Sequence, residues 1–581
     1  MPERHPTCVG RVRHVLGSRV TVAIDPDLAG VAPIHNGKLL PLGQIGSLVR
    51  LPQGLVDLIG QVDLLGIAEL AGAPEPSEIV QTGERWLQVE LLGEIDRGTS
   101  RFRRGVGSYP GLDDPVHFAT ADDLRIVFPS DDPGRVRVGG LSAAEDVPVC
   151  LDVGKLIMRH SAVVGSTGAG KTSAVVSLLQ HFARDDWPGA NIVVIDPHGE
   201  YGQALDQDAA VRSVLGHGDA ALRVPYWALP ARDILSVFAG SASPTTRSRF
   251  DELVTDERRA FVTAAPWLKL ATAAVTPDTP VPFDLRKVWY QLDFENNETR
   301  TIKSDPNSVC TEDEGDSAAL SPAGFTSYSP VNNAPFKGPL HGVHASVPEL
   351  LRLGLRDQRL RFFREPLGIA SGPDPLPEVV AEWLGKEKPI SVLDFSGVPA
   401  PASDLAIGVV LNLLFEIAVR SGDSGHGIGR SRPLLVVLEE AHRYLGESAS
   451  NMARTAANRI AREGRKYGVG LMLVTQRPSE LPDTALAQCG SLVAMRLTNS
   501  ADQSKIRSAL PDTVATIAAV LPSLRTGEAL ISGEALALPA RALLDLPDPL
   551  PMADDPSLES WRKESAAPDF STPIAGWRGA D

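Results

Sequence analysis

The stretch GSTGAGKTSA, Gly165–Ala174, decides the fold. It fits the order G-x-x-x-x-G-K-[ST], follows the apolar run SAVV (Ser161–Val164) and leads into TSAVVSLLQHFA, which has a helical pattern. Glycines at this spacing let backbone N–H groups wrap phosphates at a helix N-terminus, where the helix dipole favours negative charge. Lys171 can then reach the β- and γ-oxygens, and the Thr172 hydroxyl is an oxygen donor for magnesium. Gly165, Ser166, Thr167, Gly168, Ala169, Gly170, Lys171, Thr172 and Ser173 are the nucleotide-binding candidates, with ATP and Mg2+ as ligands. The alternative reading is a glycine-rich turn without function.

Downstream, the apolar run NIVVID (Asn191–Asp196) completes a strand–helix–strand unit. PISVLDF (Pro389–Phe395), PLLVVLE (Pro433–Glu439), VGLMLVT (Val469–Thr475) and SLVAMRL (Ser491–Leu497) are near-continuous apolar runs, as strands buried on both faces require. This is the pattern of an α/β core around a parallel sheet. Active-site groups of such sheets gather at the C-terminal ends of the strands, and three further segments fall there. LLVVLEEAH delivers Glu439 and Glu440, the first suited to the magnesium shell and the second to polarising an attacking water; a solvated strand end is the alternative. VGLMLVTQRP delivers Gln476, a candidate sensor of the γ-phosphate. VVIDPHGEY delivers Asp196, His198 and Glu200, which also read as turn residues. Arg462, Arg465 and Lys466, on a basic helix-like stretch, are candidates for an arginine finger reaching a neighbouring subunit; the same spacing fits a solvated helix face pairing with Glu463.

Upstream, residues 1–128 hold short β-like runs broken by glycine, VGRVRHVLGSRVTVAI, GQIGSLVRLPQG, LIGQVDLLGI and RWLQVELLGEI, which predict a small β-barrel. FPSDDPGRVRVGG predicts a linker over 129–140. The core then divides into 141–204 and 386–545. Between them, 205–385 carries helix-like pieces and a long polar stretch, read as a helical insertion with a hairpin or loop. Residues 546–581 are proline-rich and predict a C-terminal arm.

The chain has 581 residues, 43% hydrophobic and 22% charged, with a formal net charge of −16. That charge argues against a protein coated in positive potential, so any DNA contact must be local, such as a channel lined by a few basic residues. The four cysteines lie far apart with no C-x-x-C pair, which suggests neither a zinc site nor a disulfide framework. No apolar run of the roughly 20 residues that span a bilayer is expected, and the N-terminus lacks a signal-peptide core. No membrane association and a cytoplasmic location are the expectation.

Taken in order, GSTGAGKT, DPHGEY, LEEAH, the ARxGRKYG stretch and TQRP resemble the HerA branch of the HerA/FtsK P-loop ATPases. GRVRHVLGSRVTVAI and GSLVRLPQG resemble the small barrel shared by that branch and the rotary ATP synthases. The resemblance implies a RecA-like core in a homohexamer that threads double-stranded DNA through a central channel and translocates by hydrolysing ATP. It implies Lys171 and Thr172 as the Walker A pair, Glu439 and Glu440 as the Walker B pair with glutamate at a position usually held by aspartate, Gln476 as sensor and Arg465 as the trans-acting finger. Arg159 matches a basic position that can reach the nucleotide across an interface. Arg443, Arg454 and Arg459 are pore candidates. The resemblance further implies a partner effector, a nuclease or a sirtuin-like enzyme, docked on the barrel face, in anti-phage defence or in DNA-end resection. A ring scaffold that binds ATP and activates an effector is the competing function.

Overall fold

The computed structural model describes residues 7–26, 28, 34–35, 38–39, 46–67, 85–184, 187–216, 220–329, 331, 333–364, 374–385, 388–398, 400–422, 426–446, 451–511, 517–551 and 569–577. Six antiparallel strands close the N-terminal barrel: β1 (Cys8–Leu16), β2 (Arg19–Ile24), β3 (Leu48–Gln53), β4 (Val56–Ile67), β5 (Arg85–Asp96) and, after the short β6 (Arg101–Arg104), β7 (Pro115–Phe118). The order is β1-β7-β3-β4-β5-β2, and β2 pairs back onto β1, so the ring has no open edge; β6 is added outside β5. Alternate residues of these strands fill the interior, including Val12, Val22, Leu51, Leu58, Val89 and Val116, all fully buried.

The α/β core is an eleven-stranded mixed sheet. Its strands are β8 (Arg135–Leu141), β9 (Ala144–Asp152), β10 (Ser161–Val164), β11 (Ile192–Asp196), β12 (Ala209–Ser213), β13 (Ile390–Asp394), β14 (Leu434–Leu438), β15 (Val469–Thr475), β16 (Ser491–Met495), β17 (Glu528–Gly533) and β18 (Ala540–Leu544). They lie in the order β9-β8-β18-β17-β16-β10-β15-β14-β11-β13-β12. The seven strands from β16 to β12 are parallel, and the other four extend the sheet antiparallel. Strands β10, β14 and β15 are buried along their whole length, which explains their unbroken apolar sequence.

Two boundaries depart from the sequence reading. The expected linker 129–140 contains most of β8, which pairs with both β9 and β18. Its glycines are close-approach positions: a Cβ on Gly139 would lie 2.1 Å from the Leu543 carbonyl oxygen, and one on Gly140 2.6 Å from that of Glu145. The insertion, expected from 205, begins with a core strand, since β12 pairs in parallel with β13 at the sheet edge.

The rest of 205–385 is mostly helical, with α4 (Ala231–Ala239), α5 (Pro244–Ala264), α6 (Leu285–Asn297), α7 (Val347–Arg356) and α8 (Leu376–Trp383) following α1 (Ala121–Val127), α2 (Val153–Met158) and α3 (Lys171–Arg184). The polar stretch folds as two small antiparallel ladders, Thr299–Arg300 with Phe336–Lys337 and Thr311–Asp313 with Gly324–Phe325. Inside the insertion the Glu295 carboxylate accepts from Arg249 Nε at 2.9 Å and Gln291 Nε2 at 2.9 Å, with the buried His344 alongside. Burial alone would raise its pKa, but the hydrogen bonds of His344, Arg249 and Gln291 outweigh it and hold the carboxyl at about 2. Its stabilisation is therefore present above the ordinary value of 4.5 and lost as pH falls toward 2. Glu295→Gln is expected to lower stability at pH 7 by about 1.5–3 kcal/mol, with the deficit shrinking through that acid window in urea denaturation.

Helix α9 (Ala400–Ser421) corrects a further expectation. Residues 402–421 are long and apolar enough to cross a membrane by composition, although Asp404 and Glu416 interrupt the run. In this fold 67% of that window is buried, and its leucines with Val409 and Val410 belong to the main core cluster, against α10 (Asn451–Glu463). The start of the C-terminal arm lies on α3: Gln180 donates to the Pro549 carbonyl at 3.3 Å and Arg184 to that of Asp548 at 2.8 Å. Ser571–Trp577 is helical, and residues 552–568 and 578–581 of the arm lie outside the described residues.

Candidate functional site

Strand β10 ends at Val164, and the loop Gly165–Gly170 connects it to α3. Gly168 and Gly170 adopt φ values of +72° and +98°, a region that L side chains rarely enter, so the loop can curl tightly enough to turn its amides inward. The loop is anchored from both sides. The Gly165 amide donates to the Thr475 carbonyl at 3.3 Å, and that of Ser166 to the Arg496 carbonyl at 2.8 Å. Lys171 is buried at the start of α3. Burial lowers its pKa, while the charges of Glu439, Glu440 and Glu200 act the other way. Three carboxylates from two strand ends thus face one ammonium group.

Strand β14 lies two places from β10, so Glu439 and Glu440 emerge beside the phosphate loop. The Glu439 carboxylate is buried and accepts a hydrogen bond from the Tyr201 hydroxyl. Burial raises its pKa to about 8; Tyr201 and Lys171 oppose that rise, and the charges of Glu440 and Glu200 add to it. Glu440 has a backbone φ of +51°, a left-handed conformation in a residue that is not glycine. Such a backbone costs of order 1–3 kcal/mol and persists where neighbours hold it, often at functional sites. Here Gln476 Nε2 donates to Glu440 Oε1 at 2.8 Å, and His442 Nδ1 lies 3.2 Å from Glu440 Oε2. Burial would raise the Glu440 pKa, yet the hydrogen bond and charge of His442, together with Lys171 and His198, bring it below its ordinary value. The two adjacent glutamates are therefore pushed in opposite directions.

Gln476, one residue beyond β15, bridges this carboxylate to the phosphate loop: its Oε1 accepts from Thr167 Oγ1 at 2.7 Å. The DPHGEY turn closes the far side. Asp196 accepts the backbone N–H groups of His198, Gly199 and Tyr201 and so acts as the turn's internal brace. His198 is exposed, and Glu200 Oε2 accepts from Thr172 Oγ1 at 2.8 Å. The structure thus brings Lys171, Thr172, Glu439, Glu440, Gln476 and Glu200 together.

Other sequence candidates do not join them within one chain. Arg159 precedes β10 at its N-terminal end, the opposite edge of the sheet, and pairs with Glu534 at 3.2 Å. Arg465 and Lys466 lie in the turn Gly464–Tyr467 that enters β15, with Arg462 just before it; all three are exposed, again at the N-terminal edge. A seven-residue strand at about 3.3 Å per residue puts them roughly 23 Å from Gln476. Arg459 pairs with Glu416 of α9 and lies over the Phe415 ring, so it ties two core helices together. Arg443 lies 3.8 Å from Asp404, and Arg454 is half-buried on α10.

Four contributors were not singled out from sequence: Tyr201, His442, Arg496 and Thr498. The first two belong to the quoted motifs DPHGEY and LEEAH and were legible as polar groups at strand ends. Arg496 donates to the Gly168 carbonyl at 3.4 Å and the Thr498 amide to Ser166 Oγ at 3.1 Å, contacts that only the adjacency of β16 and β10 creates.

The residues fit a magnesium nucleotide. The glycine cradle leaves room at Gly168 where a Cβ would meet nothing within 4 Å, and the Lys171 ammonium lies at the loop, 3.5 Å from the Ser166 carbonyl oxygen. Thr172 and Glu439 supply the hard oxygen donors that Mg2+ takes beside phosphate oxygens and water. Among the described residues no three His, Cys, Asp or Glu side chains form a closed metal cage.

Fold and site together define a P-loop ATPase core with an N-terminal barrel. Residues 136–414 match the family model "Helicase HerA, central domain", and residues 406–537 match "Helicase HerA-like C-terminal". The DNA double-strand break repair helicase HerA of Pyrococcus furiosus is 25% identical over 80% of this chain and 77% of its own length. That of Saccharolobus solfataricus is 24% identical over 77% of this chain and 76% of its own. Among solved structures, VirB4 of Thermoanaerobacter pseudethanolicus aligns with a TM-score of 0.46 at 13% identity, covering 72% of this chain and 97% of that one. The chain belongs to the HerA helicase family and is an ATPase of the helicase and translocase type.

Proposed function

We propose that this protein is a DNA-stimulated ATPase that works as a homohexameric ring, with double-stranded DNA in the central channel. The observation that carries the reading is the convergence of Lys171, Thr172, Glu439, Glu440 and Gln476 at one strand edge. In it Lys171 and the loop amides bind the phosphates, Thr172 and Glu439 hold Mg2+, and Glu440 orients and deprotonates the attacking water. The metal, when bound, neutralises charge on the β- and γ-oxygens. Gln476, joined both to the phosphate loop and to Glu440, links the state of the nucleotide to the base.

Placement of Arg465 at the opposite strand edge, exposed, supports a role across a subunit interface: head-to-tail packing in a ring would turn that edge toward a neighbour's nucleotide. Arg465→Ala is expected to spare nucleotide binding and reduce turnover. Mixing it with Glu440→Gln subunits should then restore turnover above that of either variant alone, because some interfaces regain both groups; no recovery sinks the trans assignment.

A ring also accommodates the net charge of −16, since a few basic residues per subunit, with Arg443 and Arg454 as candidates, are multiplied six-fold around a channel. The barrel is the surface we assign to a partner effector of nuclease or sirtuin-like type, in cytoplasmic anti-phage defence or DNA-end resection. Its turns expose Leu16, Leu55, Tyr109 and Leu112, the apolar groups that an interface core uses. The test is steady-state ATP turnover with and without linear double-stranded DNA, with Glu440→Gln as control. Stimulation that the variant loses supports the motor; turnover indifferent to DNA overturns it in favour of a nucleotide-stabilised scaffold.

A further inference from the structure

The turn that follows β11 is rigid for local reasons. Asp196 takes three backbone N–H groups at 2.8–3.1 Å. Gly199, at φ +75°, comes close enough to the next strand's end that a Cβ would lie 3.1 Å from Ser396 Oγ. Two consecutive side chains leave this braced turn in different directions. Glu200 reaches Thr172, and Tyr201, fully buried, reaches Glu439. Those targets are the two oxygen donors assigned to magnesium, so any role for the turn rests on the nucleotide reading of this site.

The direction of each hydrogen bond matters. A carboxylate only accepts, so Thr172 gives its single hydroxyl proton to Glu200 and keeps its oxygen lone pairs for a cation. Tyr201 donates to Glu439 Oε2, which fixes the carboxylate plane and leaves Oε1 without that proton. Partners that orient metal ligands in this way set metal affinity without touching the metal.

We propose that Asp196–Tyr201 is a positioning element for the nucleotide-bound divalent cation, in which Glu200 orients Thr172 and Tyr201 orients Glu439. Neither residue is catalytic. Both act through a ligand, and the brace at Asp196 keeps the two in step.

The test is direct metal binding on the full chain, using Mn2+ as an electron paramagnetic probe in the presence of saturating ADP, alongside ADP binding in EDTA. Glu200→Gln and Tyr201→Phe should each weaken Mn2+ by about tenfold or more, while ADP binding in EDTA changes by less than about twofold. Mn2+ affinity within about twofold of the parent in both variants, with ADP bound, overturns the proposal. So does an equal loss of metal-free ADP binding, which would mean that the turn only shapes the phosphate loop. If the parent chain binds no ADP at all, the nucleotide reading itself falls, a result separate from the other two. Should Glu200→Gln fail to fold, Tyr201→Phe decides alone, since it removes one hydroxyl and leaves the ring in the core.

Discussion

Glu440→Gln is expected to lower ATP turnover by about two to four orders of magnitude, the range typical of removing a positioned base, while nucleotide binding stays near that of the parent. The geometry explains why the change should fall on turnover. Gln476 Nε2 donates to Glu440 Oε1, and His442 Nδ1 approaches Oε2, so the side chain is already held at the loop with its charge favoured. The amide keeps the shape and the Oε1 contact but cannot take a proton from water. The check is single-turnover hydrolysis alongside equilibrium binding of a labelled nucleotide. Hydrolysis within tenfold of the parent would exclude Glu440 as the base and shift attention to the other carboxylate.

Lys171→Ala is expected to weaken nucleotide binding by about ten- to a hundredfold, which corresponds to losing charged hydrogen bonds of about 1.5–3 kcal/mol. The loss should fall short of total, because Arg496 places a second cation beside the loop, on the Gly168 carbonyl. Without nucleotide the variant has another signature. Glu439, Glu440 and Glu200 all act on Lys171, so removing it takes away the ammonium group that offsets their mutual repulsion. The Glu439 carboxyl, already raised mainly by burial, should then hold its proton more tightly. Equilibrium binding of ADP checks the first effect, and an unchanged affinity would remove Lys171 from the site.

Much of the site was legible in sequence because each part is local. The phosphate loop needs only a strand, a glycine pattern and a helix, and Glu439, Glu440 and Gln476 each follow directly on an unbroken apolar run. Strand-end chemistry is encoded within a few residues. Adjacency is not. Arg137 pairs with Asp545, 408 positions away, and nothing in FPSDDPGRVRVGG announces that its glycines pack against backbone rather than flex as a linker. The same holds for Arg496, which reaches the loop only because β16 lies beside β10. Arg465 illustrates a third case: the role proposed for it depends on a neighbouring copy, so a residue pattern that equally fits a solvated helix face stays ambiguous within one chain.

The placement of β8 between β9 and β18 has a consequence for how the chain is made. All six barrel strands precede residue 119, so the barrel can close as soon as they emerge from the ribosome. The sheet that will carry the ATPase chemistry waits for Ala540–Leu544, nearly the last strand-forming residues to be synthesised, before β8 gains its second neighbour. A chain halted between Gly533 and Ala540 would carry a finished barrel and an apolar sheet edge exposed along β8 and β17, a state in which unpaired strands invite aggregation.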